Sequence, residues 1–227
     1  MTVTATNGAV SRASASASAA SVASDAAAAR DHGGSKLLYA LAIVALLALA
    51  AGALWWAKWQ TYHYASVHDG VLYRDGNRGL REFKHAIERG KIKTIVALID
   101  DGELAAQKKP EFAAEMAWAK QQGLRVERIP IPLGGWPSSE DVQRFLAITA
   151  DAQNQPVLVH CAQGVRRTGM MVAAYQQSVL GWDDQRCRSA ILTFGHSERT
   201  VGDVQRFVDV YDPKTGAVPS DLPISKE

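Results

Sequence analysis

The sequence predicts an α/β domain with a mostly parallel central sheet flanked by helices, preceded by one transmembrane helix. Three observations lead there. Apolar, β-branched runs such as residues 94–99 and 156–159 alternate with stretches of helical spacing. Continuous runs of that kind suit parallel strands covered on both faces. A 21-residue uncharged stretch, residues 37–57, lies ahead of them, and a glycine-containing turn after the second run carries a cysteine at its base.

Composition narrows the function. At 227 residues, 47% of them hydrophobic and 21% charged, the chain is long enough for one sizeable domain plus extra segments. A formal net charge of +2, with basic residues spread along the chain, argues against nucleic acid as a partner. The two cysteines, Cys161 and Cys187, make no disulfide framework. Cys187, within an expected helix over 183–192, reads as a buried and inert thiol. No spacing of Cys, His and carboxylates fits a structural zinc site, and neither a metal nor another cofactor is implied.

Taken in order, residues 1–36 hold 12 Ala and 7 Ser and almost no large apolar side chain. Such a segment buries too little surface to offset its ordering entropy, so a disordered tail is expected. Residues 37–57 lie between Lys36 and Lys58. As a helix, at ~1.5 Å per residue, they cover about 30 Å, the thickness of a bilayer's hydrocarbon core. Trp55, Trp56, Trp59, Tyr62 and Tyr64 follow like an interfacial aromatic belt. A cleaved signal peptide is the rival, on the small-x-small Ala51-Gly52-Ala53, but the apolar run continues past that point. Arg30 and Lys36 on one side nearly balance Lys58 and Arg74 on the other. The reading adopted is a single-pass membrane anchor, with the short N-terminal tail inside and the larger domain exported. Residues 58–68 read as a polar connector in which His63 and His68 are solvated.

Residues 69–213 read as the folded domain, close to the modal size for one. A strand over 71–74 ends at the Asp75-Gly76-Asn77 turn. Helical spacing follows over 80–89, with Gly90 as the stop. The strand over 94–99 ends at Asp100-Asp101-Gly102. A helix over 110–122 starts at a proline and stops at Gly123, and a strand over 124–131 leaves through Pro130 and Pro132. Ser138 and Asp141 form a capping box for a helix over 138–152. After the strand at Val157 and its turn, a helix begins near Thr168 and closes at Gly181. Helices over 183–192 and 199–211 complete the domain, and residues 214–227 are read as a tail.

The turn at Cys161 carries the chemistry. In a parallel sheet, ligands collect at the C-terminal ends of the strands, and Cys161 ends one. Successive backbone N–H groups of Ala162, Gln163, Gly164, Val165, Arg166 and Arg167, with a helix N-terminus behind them, make a candidate phosphate site. The same features lower a thiol's pKa. Arg167 offers a planar fork for two phosphoryl oxygens. A thiolate attack on phosphorus follows, with a phosphocysteine intermediate that water hydrolyses and with Thr168 hydrogen-bonding the departing sulfur.

His160-Cys161-x5-Arg167-Thr168-Gly169, with Gly164 third after the cysteine, resembles the P-loop of cysteine-dependent protein tyrosine and dual-specificity phosphatases. The small bacterial dual-specificity type is the most similar. The likeness runs from about Val71 to Tyr211 and includes "LYRDGN" and the Ile129-Pro-Ile-Pro segment. It implies a phosphoprotein substrate, and a His160 that orients the loop and tunes the thiolate through hydrogen bonds. It also implies an aspartate general acid from the loop ahead of the 138–152 helix, yet the corresponding position is Gly134. Asp101 and Asp141 are the candidates in its place, with Asp100 and Glu140 nearby. Relatives acting on polyphosphorylated inositol lipids often carry lysines in the P-loop; here Arg166 is the one extra cation, which leans toward phosphotyrosine. Two other functions are a catalytically weak phosphoprotein-binding domain, suggested by Gly134, and a sulfurtransferase, disfavoured by Arg167 and Thr168-Gly169.

Overall fold

The computed structural model describes residues 35–55, 63–76, 79–105, 110–194 and 198–224. The chain divides into two units, Met1–Lys58 and Trp59–Glu227. In the first, helix α1 spans Ser35–Trp55, with every side chain exposed. Its length and composition are those of a helix able to cross a membrane. The expected tail up to residue 34, and Trp56, Trp59 and Tyr62 of the expected aromatic belt, lie outside the described residues.

The second unit runs β1 (Ala65–His68), β2 (Leu72–Gly76), α2 (Leu80–Gly90), β3 (Thr94–Ala97), α3 (Asp101–Ala105), α4 (Pro110–Gln121) and β4 (Arg125–Arg128). It continues with α5 (Ser139–Ala150), β5 (Val157–Cys161), α6 (Arg166–Ser178), α7 (Asp184–Ile191) and α8 (Glu198–Val210). The five strands are ordered β1-β2-β5-β3-β4. All neighbours are parallel except β1, which adds to β2 antiparallel. The mostly parallel α/β reading holds, with one antiparallel edge.

Side-chain alternation along β5 divides the core in two. Val157, Val159 and Cys161 join Leu72, Val96, Phe145, Met170, Met171 and Phe207 on the face covered by α5, α6 and α8. Leu158 and Ile95 meet Phe83, Ala86, Ile87 and Ala119 of α2 and α4 on the other. Both faces of β3 and β5 are therefore covered, which is why their sequences are continuously apolar. Helix α6 is buried from Arg167 to Gln177. Gly169 lets it approach α8, since a Cβ there would meet Val204 at 3.1 Å.

Several boundaries move. β2 continues through Asp75 and Gly76, read from sequence as a turn, and both are buried. Helix α6 starts at Arg166 rather than at Thr168, so Arg167 stands in its first turn. The 58–68 connector contributes β1, and its histidines are bonded rather than merely solvated. His68 Nδ1 meets the Tyr175 hydroxyl at 2.7 Å, and His63 Nδ1 donates to the Gln163 carbonyl at 2.7 Å. At the other end the expected tail packs back. Val218 is buried and bonds Ser139, and the Trp136 indole donates to the Pro223 carbonyl at 2.9 Å.

Candidate active site

Strands β2 and β5 are in register so that Asp75 pairs with His160 and Gly76 with Cys161. The chain then turns through residues 162–165 into α6. Gly164 makes the turn possible. Its φ is 68°, and a Cβ there would lie 2.4 Å from the Asp75 carbonyl oxygen. Only glycine fits a left-handed residue pressed against the end of β2.

The Cys161 thiol is 3% exposed and accepts the Gly164 N–H at 3.2 Å. Burial alone would push its pKa up. The Arg167 charge, the Thr168 hydroxyl and the amides of Thr168 and Gly164 outweigh burial and bring the thiol below its ordinary value. Thr168 is fully buried and its hydroxyl has no regularly aligned hydrogen-bond partner among the described residues; its influence on the thiol is toward the thiolate. Cys187, also buried, shows the contrast. Burial, helped by the charges of Asp184 and Asp183, raises it to about 11, and the Arg186 charge offsets only part of that rise.

Arg167 is held from beneath by a residue that the sequence reading missed. Glu103, 7% exposed on α3, takes Arg167 Nη2 at 3.1 Å through Oε1 and Arg167 Nη1 through Oε2. The carbonyls of Leu98 and Ile131 accept from Nη1 at 3.3 and 3.2 Å. Burial would weaken the guanidinium's hold on its proton, but Cys161, Glu103 and Asp100 more than restore it. Asp100 anchors this corner. Its carboxylate takes the Glu103 N–H at 2.8 Å and the Leu133 N–H at 3.1 Å. Burial is outweighed by those bonds and by Arg167, and the group sits below the usual carboxylate range, a poor proton donor.

The other expected roles are redistributed. Arg166, expected among the phosphate ligands, turns its side chain away. Nε bonds Asp203 at 2.6 Å, Nη2 bonds the Gly134 carbonyl at 2.9 Å, and Nη1 bonds that of Gly135. It braces the segment ahead of α5 against α8, and only its backbone is free to serve the turn. His160, expected to tune the thiolate by hydrogen bonding, is buried against Phe83. Neither ring nitrogen has a regular hydrogen bond among the described residues. Burial, then Arg167, depress its pKa to about 4 against the opposing pull of the Cys161 backbone, so the ring is neutral.

Of the general-acid candidates, Asp141 forms the α5 capping box, its carboxylate taking the Ser138 amide and hydroxyl, each at 2.8 Å. Asp101 is exposed and pairs with Arg128 at 2.7 Å. Both carboxylates thus have other partners, a helix cap and a surface cation.

Amides turned on a lone thiolate, with a buried guanidinium beside it, suit a tetrahedral oxyanion whose central atom the sulfur can attack. That chemistry defines the class of cysteine-dependent phosphatases. Residues 66–210 match the family described as DSP-PTPase phosphatase fused to NAD+ kinase, and the chain belongs to it. Inositol diphosphatase DSP4 of Arabidopsis thaliana is 30% identical over 159 residues, 66% of this chain and 72% of that protein. Dual specificity protein phosphatase TpbA of Pseudomonas aeruginosa is 30% identical over 99 residues, 44% of this chain. The chain spans 40% of TpbA's length and 13% of that of a probable chloroplastic NAD kinase 2 of Oryza sativa subsp. japonica, which is 26% identical over 54% of this chain. The core catalytic domain of PP-IP phosphatase SIW14 from S. cerevisiae superposes with a TM-score of 0.55 at 23% identity, over 67% of this chain and 87% of that domain, showing the same fold.

Proposed function

We propose that the chain is a membrane-anchored protein phosphatase. Phosphotyrosine is its leading substrate, phosphoserine and phosphothreonine are within reach, and the reaction passes through a phosphocysteine. One observation carries this reading: the Cys161 sulfur receives the Gly164 N–H at 3.2 Å beside the Arg167 charge. The thiolate attacks phosphorus in line, forming S–P as the ester O–P bond breaks. Arg167 and the amides of 162–167 take the charge on the equatorial oxygens. A tyrosyl leaving group departs as phenolate and takes its proton from an acid or from water. Water then attacks the phosphocysteine, and the Thr168 hydroxyl supports the thiolate as S–P breaks.

Charge supports the substrate class. The turn's one extra cation, Arg166, is engaged by Asp203 and two carbonyls. A cradle with one committed arginine suits a phosphomonoester better than a crowded polyphosphate. A second reading, hydrolysis of inositol diphosphates, is favoured by the relative DSP4, which bears that name. α1 supplies the anchor in this proposal, with the second unit on the periplasmic side of a bacterial inner membrane.

The test compares full-length protein and Cys161→Ser on an aryl phosphate, a phosphotyrosyl peptide and an inositol diphosphate. Turnover of the first two by wild type alone supports the proposal. Preference for the inositol diphosphate favours the second reading. Tight phosphopeptide binding without turnover by wild type replaces the enzyme with a binding domain. A reporter fused after Glu227 that works only in the cytoplasm refutes the periplasmic placement.

A further inference from the structure

Two carbonyls of the 161–167 turn are held from behind by side chains of the described residues, and one holder is His63. Its Nδ1 donates to the Gln163 carbonyl at 2.7 Å across 100 residues of sequence. Because a carbonyl oxygen only accepts, Nδ1 carries the proton in this pair. Arg74 does the same one peptide later, its Nη2 donating to the Gly164 carbonyl at 2.5 Å. The two holders meet through Phe194. The His63 ring stands edge-on to it at 5.9 Å, and the Arg74 guanidinium lies over its face at 3.7 Å.

A trans peptide points its C=O and the following N–H in opposite directions. Holding the Gln163 oxygen outward therefore directs the Gly164 N–H inward, and that N–H is the one that reaches the Cys161 sulfur at 3.2 Å. Holding the Gly164 oxygen outward directs the Val165 N–H to the same side. Gly164 carries no side chain to resist a flip of the peptide plane ahead of it, so the orientation rests on the two outward bonds. Without them a buried, inward-facing carbonyl would repel the thiolate and an incoming phosphoryl oxygen.

We propose that His63 is a positioning residue for the catalytic turn: it fixes the 163–164 peptide so that the Gly164 amide faces the sulfur and, in turn, the transferring phosphoryl group. His63 lies eight positions past the end of α1 in sequence, so a residue expected to be only spacer serves the catalytic centre. This inference rests on the phosphatase reading of the site.

The backbone of His63 dictates the test. Its φ is 58°, a left-handed conformation that suits Gly and Asn and strains Ala. The side-chain amide nitrogen of an asparagine stands as many bonds from the backbone as the Nδ1 of a histidine, so His63→Asn keeps both donor and conformation. His63→Gly keeps the conformation and removes the donor. In full-length protein, kcat/KM on an aryl phosphate and the inhibition constant of orthovanadate, an oxyanion mimic, are measured for wild type and both variants. Removing an oxyanion donor outright costs ~10²- to 10³-fold. A donor that stays but loses its orientation should cost less, about 10-fold for His63→Gly, with a matching rise in the vanadate constant. His63→Asn should restore most of both. A purely structural role would lower the thermal midpoint of His63→Gly while leaving the vanadate constant unchanged at low temperature, and that result overturns the proposal. So does a His63→Asn variant as impaired as His63→Gly. Wild-type turnover that Cys161→Ser abolishes keeps the phosphatase reading independent of either outcome.

Discussion

Gly164→Ala isolates the geometry of the turn. A methyl built on the observed backbone lies 2.4 Å from the Asp75 carbonyl oxygen and 2.7 Å from both the Asp75 carbonyl carbon and the Gly76 nitrogen. All three atoms belong to β2, which is bonded to β5 along its length, so the strand cannot yield. Reaching ordinary contact distance requires the turn to move by about 1 Å. Holding an L-residue at φ 68° adds ~1–2 kcal/mol. That much strain in a domain of this size lowers the thermal midpoint by about 2–8 °C, well short of unfolding it at room temperature. A displacement of this size breaks the 3.2 Å bond from the Gly164 amide to the sulfur. Loss of one such donor is worth ~10²- to 10³-fold in kcat, or ~2.7–4 kcal/mol. The assay is kcat and kcat/KM on an aryl phosphate beside a thermal melt. The expected pair is a small loss of stability and a large loss of rate. A Gly164→Ala protein that melts lower yet turns over at the wild-type rate would refute the reasoning, because the amide would then have no part in catalysis.

Other predictions follow from the groups beneath and behind the sulfur. Glu103→Gln replaces one acceptor of the Arg167 fork with a donor. Both kcat/KM and vanadate affinity should fall, with a stability loss below the ~3–5 kcal/mol of a fully orphaned charge because the Leu98 and Ile131 carbonyls remain; unchanged kinetics would remove Glu103 from the site. Cys161 alkylation by iodoacetamide should reach half-maximal rate below the ~8.5 of a free thiol, and Arg167→Met should move that point upward. An identical profile in both proteins would show that Arg167 does not set the thiolate. Glu115 is fully buried on α4 with neither carboxylate oxygen bonded among the described residues, and burial, then Asp75 and Glu111, raise it to about 9. A raised carboxyl contributes most below the unfolded value of ~4.3, and that contribution is lost as pH rises toward 9. Glu115→Gln should therefore melt higher than wild type at pH 8 and about level with it at pH ~4. A gain independent of pH would mean that Glu115 is ionised in the fold.

The nucleophile and its scaffold were legible because they are local. A β-branched strand, a turn with one obligatory glycine and a helix sit within one short stretch, and each has its own signature in residue type and spacing. The Ser138–Asp141 capping box was equally plain. What the sequence hid depends on chain crossing. Glu103 carries no local signal in the sequence, just past the Asp100-Asp101-Gly102 turn, and only the fold brings it under Arg167, 64 positions away. His63 reads as connector until β1 docks antiparallel and carries it to Gln163. Asp75-Gly76 has the look of a turn, yet pairing with His160 and Cys161 extends the strand and buries both residues. Arg166 sits inside the motif and invites a phosphate-binding role; only the fold reveals Asp203 and the 134–135 carbonyls waiting for it. Local pattern carries the site's chemistry, and long-range contacts carry the groups that hold it.

The central claim is that Cys161 is the atom that takes the phosphoryl group. Rapid quenching of full-length protein during turnover of an aryl phosphate, followed by intact-mass and peptide mapping, tests it directly. The expected result is one added phosphoryl group on the peptide containing Cys161, absent from Cys161→Ser and accumulating in Thr168→Ala as sulfur departure slows. Turnover with no phosphoryl on Cys161, or turnover that survives Cys161→Ser, would contradict it.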